Sequence, residues 1–121
     1  MTNRIIFDRW VNEEPYFLVR KDNIRYIIRL KEMIYAESCK RTLHIHMEDG
    51  FVFAIAQKPI EYIIGQTGLD ELFRCSRGIL VNRRYVKEVD ITNKRIRLEN
   101  GTMLKIGTSY IENVKTLYEC V

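Results

Sequence analysis

Two dipeptides, Asp49-Gly50 and Asn100-Gly101, each stand between stretches in which apolar and polar residues alternate, and this constrains the fold more than any other feature of the chain. Alternation of period two marks a strand with one face in a core and one in water. A dipeptide of this kind supplies the positive φ that a tight hairpin needs. Around the first, Leu43, Ile45 and Met47 alternate with Thr42, His44 and His46, and Phe51, Phe53 and Ile55 return on the far side. Around the second, Ile96 and Leu98 alternate with Arg95 and Arg97, while Leu104 and Ile106 alternate with Met103 and Lys105. The arginine face of that second hairpin points to water.

Further strands are expected at Tyr16 to Arg20, Ile24 to Leu30, Ile34 to Glu37, Phe73 to Cys75 and Val86 to Thr92, separated by turn signals at Asp22-Asn23, Lys40-Arg41 and Asn93-Lys94. Helical spacing occurs twice. From Pro59 to Thr67, Ile60, Ile63, Ile64 and Thr67 share one face, with Pro59 suited to the first turn and Gly68 to the stop. From Ser109 onward, the serine hydroxyl and Glu112 make a capping box ahead of a stripe of Tyr110, Val114, Leu117 and Tyr118. The expected class is therefore mostly β, an antiparallel sheet domain with two short helices. Residues 1–15 form an N-terminal extension, either a connector or an additional strand, and residues 16–121 the domain.

The 121 residues, 46% of them hydrophobic, suffice for one core without disulfide or metal support. Cys39, Cys75 and Cys120 are odd in number and widely spaced, which argues against a disulfide framework and for a reducing compartment. The residues from Met1 to Pro15 have no secretory pattern, and no window is apolar enough to span a bilayer, so a cytoplasmic protein is expected. The net charge of +4 is modest. Its distribution is not. Between Leu72 and Val86 stand Arg74, Arg77, Arg83 and Arg84 with no acidic residue among them, and Lys87, Lys94, Arg95 and Arg97 follow against only Glu88 and Asp90. A polyanion is the natural counterpart of such a surface.

Ile34-Tyr35-Ala36-Glu37, His44-Ile45-His46-Met47-Glu48-Asp49-Gly50, Phe73-Arg74-Cys75-Ser76-Arg77 and Leu80-Val81-Asn82 occur in an order and spacing by which the chain resembles the LytTR DNA-binding domain, from Tyr16 to Tyr118. The resemblance implies an elongated antiparallel β domain of bacterial response regulators acting on promoter repeats, with loops entering successive major grooves of a bent duplex. Its first loop maps onto Ser38 to Thr42, where Lys40 and Arg41 reach a phosphate or a guanine edge. The second maps onto Arg74 to Gly78. There Arg77 is the first choice for base reading, because its planar fork bridges O6 and N7 of guanine, and Ser76 supports a phosphate. Asn82 falls in a Leu-Val-Asn turn with a structural role, and Arg83 and Arg84 track the DNA backbone. The third loop maps onto Gly107 to Tyr110. Family members often carry arginines there, whereas this chain offers Thr108 and Ser109, through hydroxyls and helix-start amides or through shape reading.

Other classes fit less well. His44, His46 and Glu48 share a strand face, but same-face positions on a straight strand diverge too far to enclose a small ion, so no metal or other cofactor is expected. Signatures of a nucleophile, a base and an oxyanion site are absent, so catalysis and a small-molecule substrate are not expected. The main alternative is RNA or single-strand binding by Tyr26, Tyr35, Tyr85 and Tyr110, although their apolar neighbours suit core packing better. An edge-strand interaction module using Trp10 and Phe17 is the third reading. The preferred one is sequence-specific binding of double-stranded DNA in transcription regulation, with a homodimer forming on DNA. Lys40, Arg41, Arg74, Ser76, Arg77, Arg83, Arg84, Thr108 and Ser109 make the contacts.

Overall fold

The computed structural model describes residues 10–11, 14–67 and 71–119. Strands β1 (Trp10–Val11), β2 (Glu14–Lys21) and β3 (Ile24–Arg29) form a first sheet. Strands β4 (Met33–Cys39), β5 (Thr42–Met47), β6 (Val52–Ala56), β7 (Leu72–Ser76) and β8 (Ile79–Asn82) form a five-stranded central sheet in the order β6-β5-β4-β8-β7. Strands β9 (Val86–Asp90), β10 (Arg95–Leu98) and β11 (Met103–Lys105) make a third. Every pairing is antiparallel. Helix α1 (Glu61–Thr67) connects β6 to β7, and α2 (Ile111–Leu117) follows β11. The residue expected to stop α1, Gly68, lies outside the described residues, as do residues 1–9 and 12–13 of the extension.

The central sheet carries a core on each face, the second of them over β4, β8 and β7 only. On one side Leu43, Ile45, Leu72 and Leu80 pack against Phe17, Val19 and Ile28 of the first sheet and Ile60 and Ile63 beside and within α1. On the other, Ile34, Phe73 and Val81 pack against Ile96, Leu98 and Leu104 of the third sheet and Val114 of α2. Each fully buried side chain of this size stabilises the fold by about 1.5–3 kcal/mol. Alternation lets β4 serve both cores, and a register shift between Met33 and Tyr35 puts the consecutive Ile34 and Tyr35 on one side while Met33 and Ala36 face the other. Phe17 is fully buried in the first core, so it is not available to a partner as the interaction-module reading required.

The two glycine hairpins form with a division of labour finer than expected. Gly50 and Gly101 take positive φ of 92° and 91°, while Asp49 and Asn100 do not. Instead their side-chain oxygens accept hydrogen bonds from the amides of Phe51 and Thr102. Three further expectations are corrected. Leu80-Val81-Asn82 is not a turn but most of β8, paired with β4 on one side and β7 on the other. The ninth strand ends at Asp90 rather than Thr92, because the Asp90 carboxylate accepts from the Asn93 amide and side chain and closes a turn. Ser109 does not cap α2: a 3-10 turn over Thr108–Tyr110 comes first, and neither it nor α2 receives a side-chain cap. That turn forms because the Gly107 amide donates to the Cys75 carbonyl at 2.8 Å, tying the approach to the helix onto β7.

Among the described residues, no helix is long and apolar enough to cross a membrane.

Candidate nucleic-acid interface

Strand order decides which loops share an end of the molecule. Glu37 of β4 faces Ile79 of β8, so the β4–β5 turn carrying Lys40 and Arg41 lies at the same end as the β7–β8 turn carrying Arg77 and Gly78. The join is close: the Ser38 amide donates to the Gly78 carbonyl at 2.8 Å, and a Cβ on Gly78 would stand 3.1 Å from the Ser38 carbonyl oxygen. Gly107 abuts Ser76 in the same way, with a Cβ there 3.4 Å from the serine's Cα and Cβ. At the opposite flank the Gln57 amide donates to the Arg41 carbonyl at 2.6 Å. The result is a row of loops running from Gln57-Lys58 through Lys40-Arg41 and Arg77 to Thr108-Ser109. It crosses four strand spacings, about 20 Å.

Lys40 and Arg41 form a two-residue turn between the paired Cys39 and Thr42. Both have positive φ, 51° and 67°, as a type I′ turn requires. The β2–β3 turn, Asp22-Asn23, has the same geometry with φ of 55° and 66°. Asp and Asn tolerate that region, whereas long-chain residues pay about 1–2 kcal/mol each to occupy it. Lys40, Arg41 and Arg77 are exposed, and among the described residues the ion pairs are Lys31–Glu14, Arg74–Glu61 and Arg97–Glu88, none of which involves them.

Arg74 is placed differently. Its guanidinium lies 3.0 Å from the Glu61 carboxylate at the start of α1 and also donates to the Arg77 carbonyl, so it braces the β7–β8 turn from behind. The nearest acidic partner in space, Glu61, stands 13 residues away in sequence, which is why the arginine run read as uncompensated. The Glu61 carboxyl sits below its ordinary value, chiefly through a hydrogen bond from its own backbone amide and further through Arg74 and Arg77. Ser76 is half-buried, and Thr108 and Ser109 are exposed on the 3-10 turn.

The structure does not bring Arg83 and Arg84 to this row. They occupy a 3-10 turn at the other end of β8, about 20 Å from Arg77 along the strand direction. There Arg83 lies over the Tyr118 ring, 5.7 Å from its centroid. Asn82 fixes that turn as expected of a structural residue. It is fully buried, its amide donates to the carbonyls of Leu30 and Met33, and its side-chain oxygen accepts from the Arg84 amide.

Sequence reasoning passed over Gln57 and Lys58, because they lie between a strand and a helix with no charge run to mark them. Only the pairing of β6 with β5 places them beside Arg41. Among the described residues no cluster of His, Cys, Asp and Glu is arranged to hold a metal. His46 instead stacks on Tyr35, with ring centroids 4.2 Å apart and planes 6° from parallel. Cys75 is a buried thiol donating to the Lys105 carbonyl, and burial pushes its pKa up to about 12.

A stack of antiparallel sheets thus raises exposed cations, outside the ion pairs of the described residues, on a row of loops at one end, and such a surface suits a polyanion. The chain belongs to the LytTr DNA-binding domain family, whose model matches residues 18–119. DNA binding in the regulation of transcription is thus its role. A solved structure described as the LytTr DNA-binding domain of a putative methyl-accepting/DNA response regulator from Bacillus cereus shares the fold, with a TM-score of 0.72 at 15% identity, covering 87% of this chain and 97% of that one. No curated protein matches.

Proposed function

We propose that the chain binds double-stranded DNA sequence-specifically, with the loop row inserted at the major groove, and that Lys40, Arg41, Ser76, Arg77, Thr108 and Ser109 make the contacts. The observation that carries this reading is the pair of type I′ turns. At Asp22-Asn23 the chain uses residues suited to the backbone, and at Lys40-Arg41 it keeps two strained cations at the tip of the row. A row about 20 Å wide covers more than half of a helical repeat of about 34 Å, so its outer loops meet different backbone segments while Arg77 faces a groove. Arg77 reads a guanine edge, Arg74 positions its turn, and Thr108 and Ser109 hold a phosphate.

Arg83 and Arg84 stand outside this contact surface. The domain comprises residues 16–121, with residues 1–15 as its extension. It acts without cofactor, small-molecule substrate or catalysis, in the bacterial cytoplasm, and two copies occupy promoter repeats as a homodimer on DNA. Single-strand or RNA binding is disfavoured because, of the tyrosines that would stack on bases, Tyr26 packs against the first core and Tyr35, Tyr85 and Tyr110 pack in the second.

Selection of binding sequences from a randomised duplex library, followed by competition with unpaired strands, tests the reading. Recovery of a short duplex motif supports it. Preference for unpaired strands overturns it.

A further inference from the structure

Gln57 and Lys58 hold the outer end of the loop row, where β6 runs into Pro59. Gln57 has φ of 60°, a region that glycine would occupy without steric cost. Its amide donates to the Arg41 carbonyl, so this loop and the Lys40-Arg41 turn are held as one unit. Both Gln57 and Lys58 are exposed, and among the described residues Lys58 has no carboxylate within ion-pair distance. The lysine Nζ instead stands 5.0 Å from the centroid of the Tyr62 ring, a cation–π contact that brings no neutralising charge. Between the two loops lies an open groove of about 550 Å³ lined by Ser38, Arg41, Gln57, Lys58 and Pro59. A carboxamide carries one acceptor and one donor group, the complement of the N6 and N7 edge of adenine, whereas an ammonium group suits a phosphate.

We propose that Gln57-Lys58 is a fourth DNA-contact segment, in which the Gln57 carboxamide reads an adenine at the outer end of the loop row, next to Arg41, and Lys58 neutralises a phosphate at the border of the site. This rests on the DNA-binding reading above and adds a specificity determinant to it. Duplex selection and salt titration on the full chain test it, with variants Q57G, K58A and K40A/R41A. Q57G removes the side chain while relaxing the backbone, so loss of folding does not imitate loss of contact, and thermal melting verifies this. Q57G is expected to lose the A·T preference at one outer position and to bind the selected site about ten-fold more weakly. K58A is expected to weaken all sequences alike and to flatten the salt slope by about one unit. Unchanged selection by Q57G, or an unchanged slope for K58A, would overturn the proposal. If K40A/R41A alters the selected sequence and Q57G does not, the fourth segment alone is rejected. If the wild-type chain selects no duplex, the DNA-binding reading falls and this inference with it.

Discussion

Lys40 and Arg41 accept a backbone conformation that suits long side chains poorly, and the proposed DNA contact gives that strain a purpose. Replacing them by Asn-Gly, the pair that a type I′ turn favours, should stabilise the fold by about 1–2 kcal/mol. It should also weaken DNA binding. Chemical denaturation and duplex titration of K40N/R41G check the two halves separately, and a variant that is more stable with undiminished affinity would contradict the role given to this turn. Arg77 and Arg74 looked alike in sequence as neighbours in one basic run. Their difference comes from Glu61, brought up by α1 to draw the Arg74 guanidinium inward while Arg77 stays exposed. Asn82 was legible as a structural residue from its chemistry, since an amide beside an apolar pair serves local backbone groups. Its donation across to Leu30 and Met33 depends on β8 lying beside β4.

At the scale of elements, strands with one wet face were readable, and of the strands with a core on both faces β4 and β7 were readable while β8 was not. The β5–β6 and β10–β11 hairpins alternate, whereas β8 is apolar at Ile79, Leu80 and Val81 because both of its faces meet a core. Asn82 at its end joins β8 to the turn before β4, and N82A would remove its bonds to the Leu30 and Met33 carbonyls and to the Arg84 amide. A loss of about 2–4 kcal/mol is expected, read as a shift in the urea midpoint at constant slope. The exposed side of β5 makes a different prediction. Burial lowers the pKa of His46, with Glu37 opposing the shift and His44 adding to it. The folded state therefore binds fewer protons than the unfolded chain near the ordinary imidazole value of about 6.5. The contribution to stability is full above that value and is lost as pH falls through it. H46F keeps a ring against Tyr35 and removes the titration, so its melting temperature should depend less on pH than that of the wild type between about pH 7.5 and 5.5.

Across the whole molecule, cations at one end are separated from Arg83 and Arg84 at the other by the length of β8, and a duplex docked as proposed on the loop row would meet only the first set. R77A should cost about 1–3 kcal/mol at its selected site and relax preference at one base pair. R84A should leave both the selected sequence and the salt slope unchanged. Equal losses from the two variants in fluorescence titrations at several salt concentrations would place the distal turn on DNA after all. The sequence by itself determined that this chain is built of hairpins, that its second hairpin turns arginines to water, and that basic residues concentrate after Leu72, because side-chain alternation and charge are local properties of a chain. Only the tertiary structure decided which of those cations stand together. The antiparallel neighbours β4 and β8 bring turns 37 residues apart, at Lys40 and Arg77, to one end, while Arg77 and Arg84, seven apart, are carried to opposite ends of one strand. A strand adds about 3.3 Å per residue along its axis and a sheet about 4.8 Å per neighbour across it, so proximity in this fold follows strand order, which no local pattern encodes.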